Sequence, residues 1–418
     1  MLDLRRIRED PDGVRTALAR RGPGVAERID AVLELDGERR AAIATAENLR
    51  SKQKSDSENL AAAQRAGEDV GQLRASLKDL SARVKELTTQ ASEADERLQE
   101  LLRTLPNLTD AAAPPEDEVL RVVGEPASPV AEPRDHLELA GDRIDMERAA
   151  RMSGSRFAYL RGELVLLELA LVRWALDVLG RHGFQPVIPP VLVREQALYG
   201  TGMLPDTEQQ IYHVPSDDLY LVGTSEVALA SLHADEVLDA ADLPVRYAGF
   251  SPCFRREAGA AGRDTRGLFR VHQFDKVEMF SFVAPQESAT EHEVILSIEE
   301  EILQALGVPY RVVNIAANDL GASAAKKFDL EAWLPGQGRY RELTSCSNTT
   351  DFQARRLDVR MRPPGGRPEV LHTLNGTAVA VGRTIIALLE NGQREDGSVQ
   401  LPEVLVPYGA PATLAAAS

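Results

Sequence analysis

A chain of 418 residues exceeds one ordinary domain, and its 43% apolar and 27% charged residues are typical of a globular protein. Its net charge of −17 argues against indiscriminate coating of nucleic acid, although it permits a local basic surface. Cys253 and Cys346 are the only cysteines, which argues against a disulfide framework or cysteine-based zinc site and favours a reducing cytoplasm. The charged N-terminus is unlike a signal peptide, and charges interrupt the longest apolar region, so we expect no membrane span.

Residues 70–101 carry a heptad repeat, the pattern of a coiled coil. Apolar residues recur there at alternating spacings of three and four: Val70, Leu73, Leu77, Leu80, Val84, Leu87, Ala91, Ala94, Leu98 and Leu101. The preceding segment, residues 27–63, is also rich in helix formers, and Gly67 and Gly71 are turn candidates between the two. We therefore predict an antiparallel helical hairpin over about 27–103, an arm that projects on the order of 50 Å.

The heptad alone leaves two interpretations of this arm. One is dimerisation through the apolar seam. The other is contact with phosphates, which the charge favours, because residues 50–85 hold eight basic against five acidic side chains in a chain that is acidic as a whole. The eight basic residues are the candidates for nucleic-acid contact: Arg50, Lys52, Lys54, Arg65, Arg74, Lys78, Arg83 and Lys85.

The chain is predicted to have three regions. Residues 1–104 form an N-terminal domain that bears the arm. Six prolines with acidic and small residues predict a linker over 105–135. Residues 136–418 then mix helical and strand patterns and form the third and largest region.

The largest region is predicted to be built on an antiparallel sheet. Helical patterns cover 156–182 and 286–306. Strand patterns over 245–256 and 268–283 follow each other with no helix between them, which predicts a largely antiparallel sheet with helices packed on it. The sequence contains neither GxxxxGK[ST] nor GxGxxG, so neither a P-loop nor a Rossmann turn would hold a nucleotide.

Residues 254–280 look like two strands joined by a glycine-bearing loop. Alternation places five chemically distinctive side chains on one sheet surface: Arg255, Glu257, Phe274, Lys276 and Glu278. A guanidinium, a ring and carboxylates on one face suit a nucleotide better than they suit packing. Cross-strand ion pairs are the alternative, but they leave the glycine-rich, basic loop 258–267 unexplained.

Two polar segments offer further reactive groups. Residues 223–229 (GTSEVAL) set a hydroxyl and a carboxylate beside a serine, which taken alone is typical of a helix N-cap. Residues 341–356 hold Glu342 and Ser345, whose carboxylate and hydroxyl are suited to share Mg²⁺. A simple polar turn is the alternative for this second segment.

Residues 374–393 (LNGTAVAVGRTIIALLENGQ) predict a turn that leads into a helix, with Thr377 as the N-cap. Apolar residues at helical spacing give this helix a buried face: Val381, Ile385, Leu388 and Leu389. Arg383 would lie near the N-terminal turn, where anions are stabilised. A solvated surface arginine is the alternative.

These segments occur together in one order, and the chain resembles bacterial seryl-tRNA synthetases from end to end, including the arm. The 254–280 hairpin is similar to motif 2 of class II synthetases, and residues 374–393 to motif 3. Residues 183–193 (GFQPVIPPVLV) are similar to motif 1, with Pro190 at the position of the class proline. The strings ELTSCSN and QFDKVE are more specific to the serine family than the class motifs are.

The resemblance implies an α+β fold, namely a class II antiparallel sheet flanked by helices, with an N-terminal antiparallel coiled-coil arm. It implies ATP-dependent activation of L-serine and transfer to tRNA(Ser), and to tRNA(Sec) as well. It further implies Mg²⁺, a homodimer formed through the Pro190 region, a cytoplasmic location, and no DNA or membrane partner.

The resemblance also implies roles for individual residues. Arg255 and Arg383 would be catalytic, and Glu342 with Ser345 would hold Mg²⁺. The residues implied to contact ATP are Arg255, Arg256, Glu257, Phe274, Glu342, Leu343, Thr344, Ser345 and Arg383. The residues implied to contact serine are Thr224, Ser225, Glu226, Arg255, Glu278, Asn375 and Thr377.

Small departures from the family pattern leave alternatives open. Ala228 and Thr349 stand where the family commonly has Pro and Cys, but every position with an implied contact holds a competent residue. A paralogue with the same chemistry, serving antibiotic resistance or a biosynthetic pathway, is one alternative. A non-catalytic tRNA-binding scaffold that kept the fold is the other.

Overall fold

The computed structural model describes residues 1–205, 210–258, 264 and 266–417. The chain divides into two compact units, Leu2–Leu105 and Pro106–Ser418, the second of which also includes Met1. Over the described residues, no helix is both long and apolar enough to cross a bilayer.

The N-terminal unit is helical. Its helices are α1 (Leu4–Glu9), α2 (Pro11–Ala19), α3 (Arg28–Ala66) and α4 (Gly71–Arg103). Gly67 ends α3 with φ +76°, a left-handed conformation that favours glycine, and the chain turns there into α4. The predicted helical hairpin is confirmed, and its two long helices begin and end within a few residues of the predicted positions.

The heptad seam of α4 is buried within the hairpin from Val84 to Leu98, while Leu73, Leu77 and Leu80 nearer the tip are half-buried. Val84, Leu87 and Leu98 are buried, and small residues of α3, Ala42 and Ala46, pack opposite Leu87. Because α3 covers this part of the seam, dimerisation is not needed to bury it. The eight basic candidates of the arm are all exposed, so the arm presents them to solvent.

The second unit is built on one large sheet. Its strands, in spatial order, are β1 (Glu118–Val123), β11 (Tyr310–Asn314), β12 (Lys326–Leu334), β13 (Arg339–Thr350), β16 (His372–Ala380), β10 (Gln273–Val283), β9 (Val245–Phe254) and β4 (Gln185–Val187). All neighbours in this sheet are antiparallel except β4 and β9. The predicted antiparallel sheet is confirmed.

Short strands form smaller sheets around this one: β2 (Ile144–Asp145) with β3 (Tyr159–Leu160); β5 (Leu192–Val193), β6 (Tyr212–Val214) and β7 (Leu219–Leu221); β8 (Val237–Asp239), β14 (Arg360–Arg362) and β15 (Glu369–Val370); and β17 (Val399–Gln400) with β18 (Thr413–Leu414). The helices of this unit are α5 (His136–Ala140), α6 (Met146–Ser153), α7 (Glu163–Arg181), α8 (Glu195–Thr201), α9 (Glu226–Ala230), α10 (Ser288–Ala305), α11 (Phe352–Arg356) and α12 (Val381–Asn391).

The main core lies between the large sheet and the helices α7, α10 and α12. Leu167 and Leu171 of α7, Ile298 of α10 and Ile385 of α12 are fully buried there against sheet residues such as Met279. Each of these helices repeats apolar residues at three- and four-residue spacings, which places them on the face that meets the sheet. The predicted apolar face of α12 is confirmed, since all four of its residues are buried.

The structure corrects the prediction for residues 375–377. They do not form a turn, and Thr377 is not an N-cap, because they lie inside β16 between β10 and β13. A Cβ on Gly376 would lie 2.4 Å from Ile295 Cγ2, so this glycine permits close approach of α10 to the sheet. Helix α12 begins later, at Val381, with Ala380 at its N-cap.

Two further predictions need correction. The first strand of the 254–280 hairpin ends at Phe254, so Arg255 and Glu257 follow the strand and do not lie on its face. The second strand begins at Gln273, and residues 259–263 and 265 of the connecting loop lie outside the described residues. The segment predicted as a linker contains β1, which pairs with β11 as the edge strand of the large sheet.

Candidate active site

A cavity of about 360 Å³ opens on the large sheet, over three neighbouring strands. Strand β10 contributes Phe274, Lys276 and Glu278, strand β16 contributes Asn375 and Thr377, and strand β13 contributes Glu342, Leu343, Thr344, Ser345 and Ser347. Segments outside these strands close the cavity with Thr224, Glu226, Arg255, Glu257, Phe269, Arg270, Lys327 and Arg383. Their contacts form two groups. The first, the cationic and aromatic end, contains Phe269, Arg270 and Arg383 with Glu257 and Glu342. The second contains Thr224, Lys276 and Asn375 with Glu226 and Glu278.

Arg255 lines this cavity. Its Nε donates to the carbonyl oxygen of Gly223 at 3.1 Å, and its guanidinium carbon lies 5.3 Å from the centroid of the Phe274 ring. The backbone nitrogen of Arg255 also donates to the carbonyl oxygen of His272. The Gly223 carbonyl and the Phe274 ring thus hold the side chain, and the backbone bond holds the main chain beneath it.

Glu257 lies beside Arg255 with φ +51°, an uncommon conformation for a residue other than glycine. Its Oε2 accepts a hydrogen bond from Arg270 Nη1 at 2.6 Å. This ion pair joins the two ends of the loop that connects β9 and β10. A strained residue beside a cavity is a common feature of functional sites.

Phe269 is stacked between two guanidinium groups. The central carbon of Arg341 lies 3.6 Å from its ring centroid, and that of Arg383 lies 4.6 Å from it. Arg383 also donates through Nη1 to the carbonyl oxygen of Glu342 at 3.0 Å. Arg383 is therefore not the solvated surface arginine of the alternative interpretation.

Charges near Arg383 set the ionisation of its neighbours. Burial alone would raise the pKa of Glu342, but attraction by Arg383 and Lys327 outweighs it and the pKa is lowered. Glu342 is therefore an anion at neutral pH. Desolvation lowers the pKa of Arg383, and Glu342 opposes that shift.

The other end of the cavity contains two buried carboxyl groups. Glu226 Oε1 accepts hydrogen bonds from Gln353 Nε2 at 2.7 Å and from Asn375 Nδ2 at 3.0 Å. Burial raises the pKa of Glu226 to about 7, and repulsion by Glu278 adds to the rise. Burial also raises the pKa of Glu278, against the opposing attraction of Lys276.

Lys276 contacts both Thr224 and Glu278 at this end of the cavity. Its Nζ donates to Thr224 Oγ1 at 2.8 Å and forms an ion pair with Glu278. Thr224 Oγ1 in turn donates to Glu278 Oε2 at 3.4 Å. The result is a polar end in which hydroxyl, ammonium and carboxylate groups are mutually fixed, as recognition of a small zwitterion requires.

Most of the sequence-predicted site residues line the cavity: Thr224, Glu226, Arg255, Glu257, Phe274, Glu278, Glu342, Leu343, Thr344, Ser345, Asn375, Thr377 and Arg383. Ser225 and Arg256 do not. Ser225 is fully buried and its hydroxyl faces the carbonyl oxygen of Gly249 at 3.4 Å, on the β9 side. Arg256 is exposed, so neither residue is assigned a direct contact with a reactant.

Sequence reasoning gave no role to three residues that support the site. Lys276 was placed on the right sheet face, where its alternation with Phe274 and Glu278 was the available signal. Gln353 holds Glu226 from α11, and Glu299 of α10 accepts from Thr344 Oγ1 at 3.0 Å. Burial raises the pKa of Glu299 well above its usual value. Neither of the last two has a local sequence signature.

The residues of the cavity can supply only part of the coordination of a magnesium ion, so a bound ligand would have to supply further oxygen atoms. Glu342 and Ser345 both line the cavity, and an anionic carboxylate with a hydroxyl oxygen suits this oxygen-seeking ion. Among the described residues, no cluster of three or more His, Cys, Asp or Glu side chains could hold a metal by itself. The remaining positions would fall to phosphate and water oxygens.

The cavity lies on a largely antiparallel sheet. Residues 212–392 match the tRNA synthetase class II core domain (G, H, P, S and T). Together these findings define a class II aminoacyl-tRNA synthetase. Residues 1–109 match the seryl-tRNA synthetase N-terminal domain. The chain belongs to the seryl-tRNA synthetase family. Its activity is that of a serine–tRNA ligase, which uses ATP to activate serine and charges it onto tRNA.

Relatives match the whole chain. It is 52% identical to a serine–tRNA ligase of Nocardia farcinica over 414 residues, with 98% of each chain covered. The serine–tRNA ligase of Acidothermus cellulolyticus is also 52% identical, with 98% of each chain covered. The crystal structure of seryl-tRNA synthetase from Pyrococcus horikoshii complexed with ATP covers 100% of both chains, with a TM-score of 0.97 and 42% identity. The resemblance and the fold class predicted from sequence are confirmed.

Proposed function

We propose that both reactants of serine activation bind in the described cavity, ATP at the cationic and aromatic end and serine at the end with Glu226 and Glu278. One observation carries this proposal: all of these side chains line one cavity, and Arg255 interacts electrostatically with Glu226 and Glu278 as well as with Glu342. In the reaction, a serine carboxylate oxygen forms a bond to the α-phosphorus while the bond from that phosphorus to the pyrophosphate oxygen breaks. Pyrophosphate leaves and seryl-adenylate remains.

Arg255 would stabilise the charge that develops in this step. Attack by one anion on another concentrates negative charge on the α-phosphate oxygens, and a fixed guanidinium relieves it at both oxygens at once. Arg383 would meet the γ-phosphate, and Phe274 with Glu257 would hold the adenine. No side chain need form a covalent intermediate, since positioning and charge supply the catalysis.

Magnesium is the cofactor that the site fits. Glu342 and Ser345 would hold it, and Leu343 and Thr344 between them would contact the nucleotide. When bound, Mg²⁺ neutralises charge on the phosphates of ATP. Glu299 beneath Thr344 keeps this strand in place by accepting a hydrogen bond from the Thr344 hydroxyl.

Serine would be recognised at both of its polar ends. Thr224 and Glu226 would hold the ammonium group, while Glu278 and Thr377, with Asn375 behind them, would bind the side-chain hydroxyl. A site built to pair with a hydroxyl leaves buried polar groups unpaired when alanine enters. We therefore expect strong discrimination against alanine.

The raised pKa of Glu226 predicts a pH dependence of serine use. Below pH 7 the carboxylate binds a proton, so the serine ammonium loses its counter-charge. We expect kcat/KM for serine in pyrophosphate exchange to fall about tenfold per pH unit below about 7, and to level off above it. The measurement is the exchange rate from about pH 5.5 to about pH 8.5 at limiting serine.

Two comparisons accompany that profile. The matched measurement at limiting ATP separates the titration of Glu226 from that of the nucleotide. Glu226→Gln should give a low rate with a flatter pH dependence for serine. A wild-type serine profile that stays level down to about pH 5.5 would contradict the assignment of Glu226.

We propose that residues 1–104 are the tRNA-binding domain and that residues 136–418 are the catalytic domain. The exposed basic residues of α3 and α4 would contact the tRNA backbone by charge and shape, so an anticodon reader is unnecessary. The tRNA substrates of the protein would be tRNA(Ser) and also tRNA(Sec).

The cytoplasm is the proposed location, with no DNA or membrane partner, because the two reduced cysteines and the tRNA substrate both fit it.

We infer that the chain forms a homodimer through α7 and the Pro190 region. Helix α7 exposes Val165, Leu166 and Leu169 at helical spacing, and Ile188 beside the edge strand β4 is 83% exposed. Exposed apolar groups next to a sheet edge are typical of a subunit interface. Pro190 is itself exposed.

Leu169→Asp should weaken this dimer. Leu169 is 58% exposed, so the substitution disturbs no core of the protomer, but it would bury a carboxylate in the interface. We expect the mass measured by light scattering to fall from dimer to monomer at micromolar protein. Leu232→Asp, at a 47% exposed leucine outside this face, is the matched control and should remain dimeric. If light scattering gave the same mass for Leu169→Asp and Leu232→Asp, the proposed interface through α7 would be refuted.

A further inference from the structure

His136, the first residue of α5, lies under the returning end of the loop between β9 and β10. The residue is 5% exposed. The ring Nε2 accepts a hydrogen bond from the backbone nitrogen of Leu268 at 3.2 Å. A Cβ on Gly267, where φ is +80°, would lie 2.1 Å from the same ring nitrogen. The loop therefore returns to the sheet in direct contact with the imidazole.

This hydrogen bond fixes the chemical form of the ring. A backbone N–H can only donate, so Nε2 must be unprotonated, and the neutral ring then carries its proton on Nδ1. Nδ1 faces Glu390 Oε1 of α12 at 3.5 Å. Within the described part of the chain, neither of these two atoms has a hydrogen-bond partner. The fully buried Glu390 therefore faces Nδ1 without a hydrogen bond, and the bond from Leu268 alone assigns the tautomer in which Nε2 accepts.

The segment around His136 is also hydrogen-bonded to the chain just after α12, at Gln393. Arg134 N donates to Gln393 Oε1 at 2.9 Å, and Gln393 Nε2 donates back to Arg134 O at 3.3 Å. The other oxygen of Glu390 accepts from Gly336 N at 2.9 Å. His136 thus packs against the C-terminal end of α12, where hydrogen bonds fix the surrounding chain.

Leu268 leads directly into the cationic and aromatic end of the cavity. The next residue is Phe269, stacked between Arg341 and Arg383, and the carbonyl oxygen of Phe269 accepts from Arg383 Nε at 3.4 Å. Arg270 follows and pairs with Glu257. A backbone hydrogen bond at Leu268 therefore fixes the start of the segment that positions all of these groups.

We propose that His136 is a positioning residue for ATP, which acts through the Leu268 amide to hold Phe269 and Arg270 in the nucleotide-binding arrangement. The role rests on the proposed placement of ATP at this end of the cavity. His136 touches no cavity group that we assign to serine, so its effect falls on the nucleotide alone.

A pair of amide substitutions tests this role. His136→Gln places a carbonyl oxygen near the position of Nε2, which can still accept from Leu268. His136→Asn is one methylene shorter and leaves the Leu268 amide unpaired, although it is equally polar and uncharged. In serine-dependent pyrophosphate exchange we expect KM for ATP to rise about tenfold for Asn and to stay within about twofold of wild type for Gln. KM for serine should change by less than about twofold in both.

The contrary results are distinct. Equal KM values for ATP in the Gln and Asn variants, or equal changes in KM for ATP and serine, would overturn the proposal. His182→Ala, which removes a half-buried His–Glu pair remote from the cavity, controls for general loss of stability and should leave KM for ATP unchanged.

Two more variants keep the test decisive. If the Asn variant fails to fold, Gly267→Ala displaces the same contact from the loop side and should also raise KM for ATP. Arg383→Ala reports on the nucleotide end itself. If Arg383→Ala raises KM for ATP and His136→Asn does not, the positioning role of His136 is wrong but the placement of ATP stands. If neither variant raises KM for ATP, the placement of ATP at this end of the cavity is wrong.

Discussion

Arg255→Ala is expected to lower serine-dependent pyrophosphate exchange by about 10²- to 10³-fold, the usual effect of removing one preorganised group that stabilises a charged transition state. The reason is geometric: Arg255 lines the cavity and is held there by the Gly223 carbonyl and by Phe274. Because the interaction strengthens only as charge develops, the loss should appear mainly in kcat. The measurement is the initial rate of exchange at saturating ATP and serine.

The neighbouring residue supplies the matched control for this result. Arg256→Ala removes the same charge one position away, but Arg256 is exposed and lies outside the cavity lining. We expect less than about a threefold change in exchange. Similar losses for both variants would mean that general positive charge near the cavity, and not the fixed position of Arg255, supports the reaction. The thermal midpoint of each variant confirms that the fold is intact.

Removal of the distal arm is expected to separate the two half-reactions. Replacing residues 50–85 by a short glycine-rich turn deletes all eight basic candidates and keeps the buried seam of Ala42 and Ala46 with Leu87 and Ala91. Pyrophosphate exchange should remain within about twofold of the full chain. Charging of tRNA should fall by about 10³-fold or more, because the contacts with tRNA phosphates are lost.

A milder variant separates charge from shape in the same arm. Lys78→Ala combined with Lys85→Ala removes two exposed cations without altering the hairpin. If the arm contacts phosphates, KM for tRNA should rise and its dependence on salt should become less steep. Charging at the normal rate by the shortened chain would refute the assignment of the arm.

The arm was predictable because its signal is local and periodic. An unbroken heptad over 70–101 determines both the helix and its buried side, and Gly67 supplies the turn where the structure has one. The heptad by itself left the partner of that seam open, although the predicted hairpin offered α3. Whether an apolar stripe meets its own chain or a second copy depends on the residues opposite, and Ala42 and Ala46 of α3 fill that place.

The wrong prediction at residues 375–377 has a physical origin. Asn-Gly followed by a hydroxyl residue is typical of a turn in an isolated segment. In the folded chain the same residues form a central strand, where both neighbouring strands supply hydrogen bonds and α10 approaches Gly376 closely. Tertiary contacts outweigh local preference here, and the sequence around Gly376 carries no sign of them.

The candidate site was predictable to the extent that its residues come in short strings. The motif-like segments supplied the residues of β10, β13 and β16 that line the cavity. The supporting residues are different: Gln353 is separated from its partner Glu226 by 127 positions, and no spacing rule connects them. The same holds for His136 and Leu268, which are 132 positions apart.

Preference for serine over other amino acids is the property on which the proposed site depends most. It is measured by exchange of labelled pyrophosphate into ATP by the purified full chain, with serine, threonine or alanine supplied in turn. We expect rapid exchange with serine, and exchange with alanine reduced by about 10⁴-fold, because alanine leaves the hydroxyl-binding groups unpaired. Absence of exchange with serine, or equal rates with alanine or threonine, would show that this cavity does not select serine.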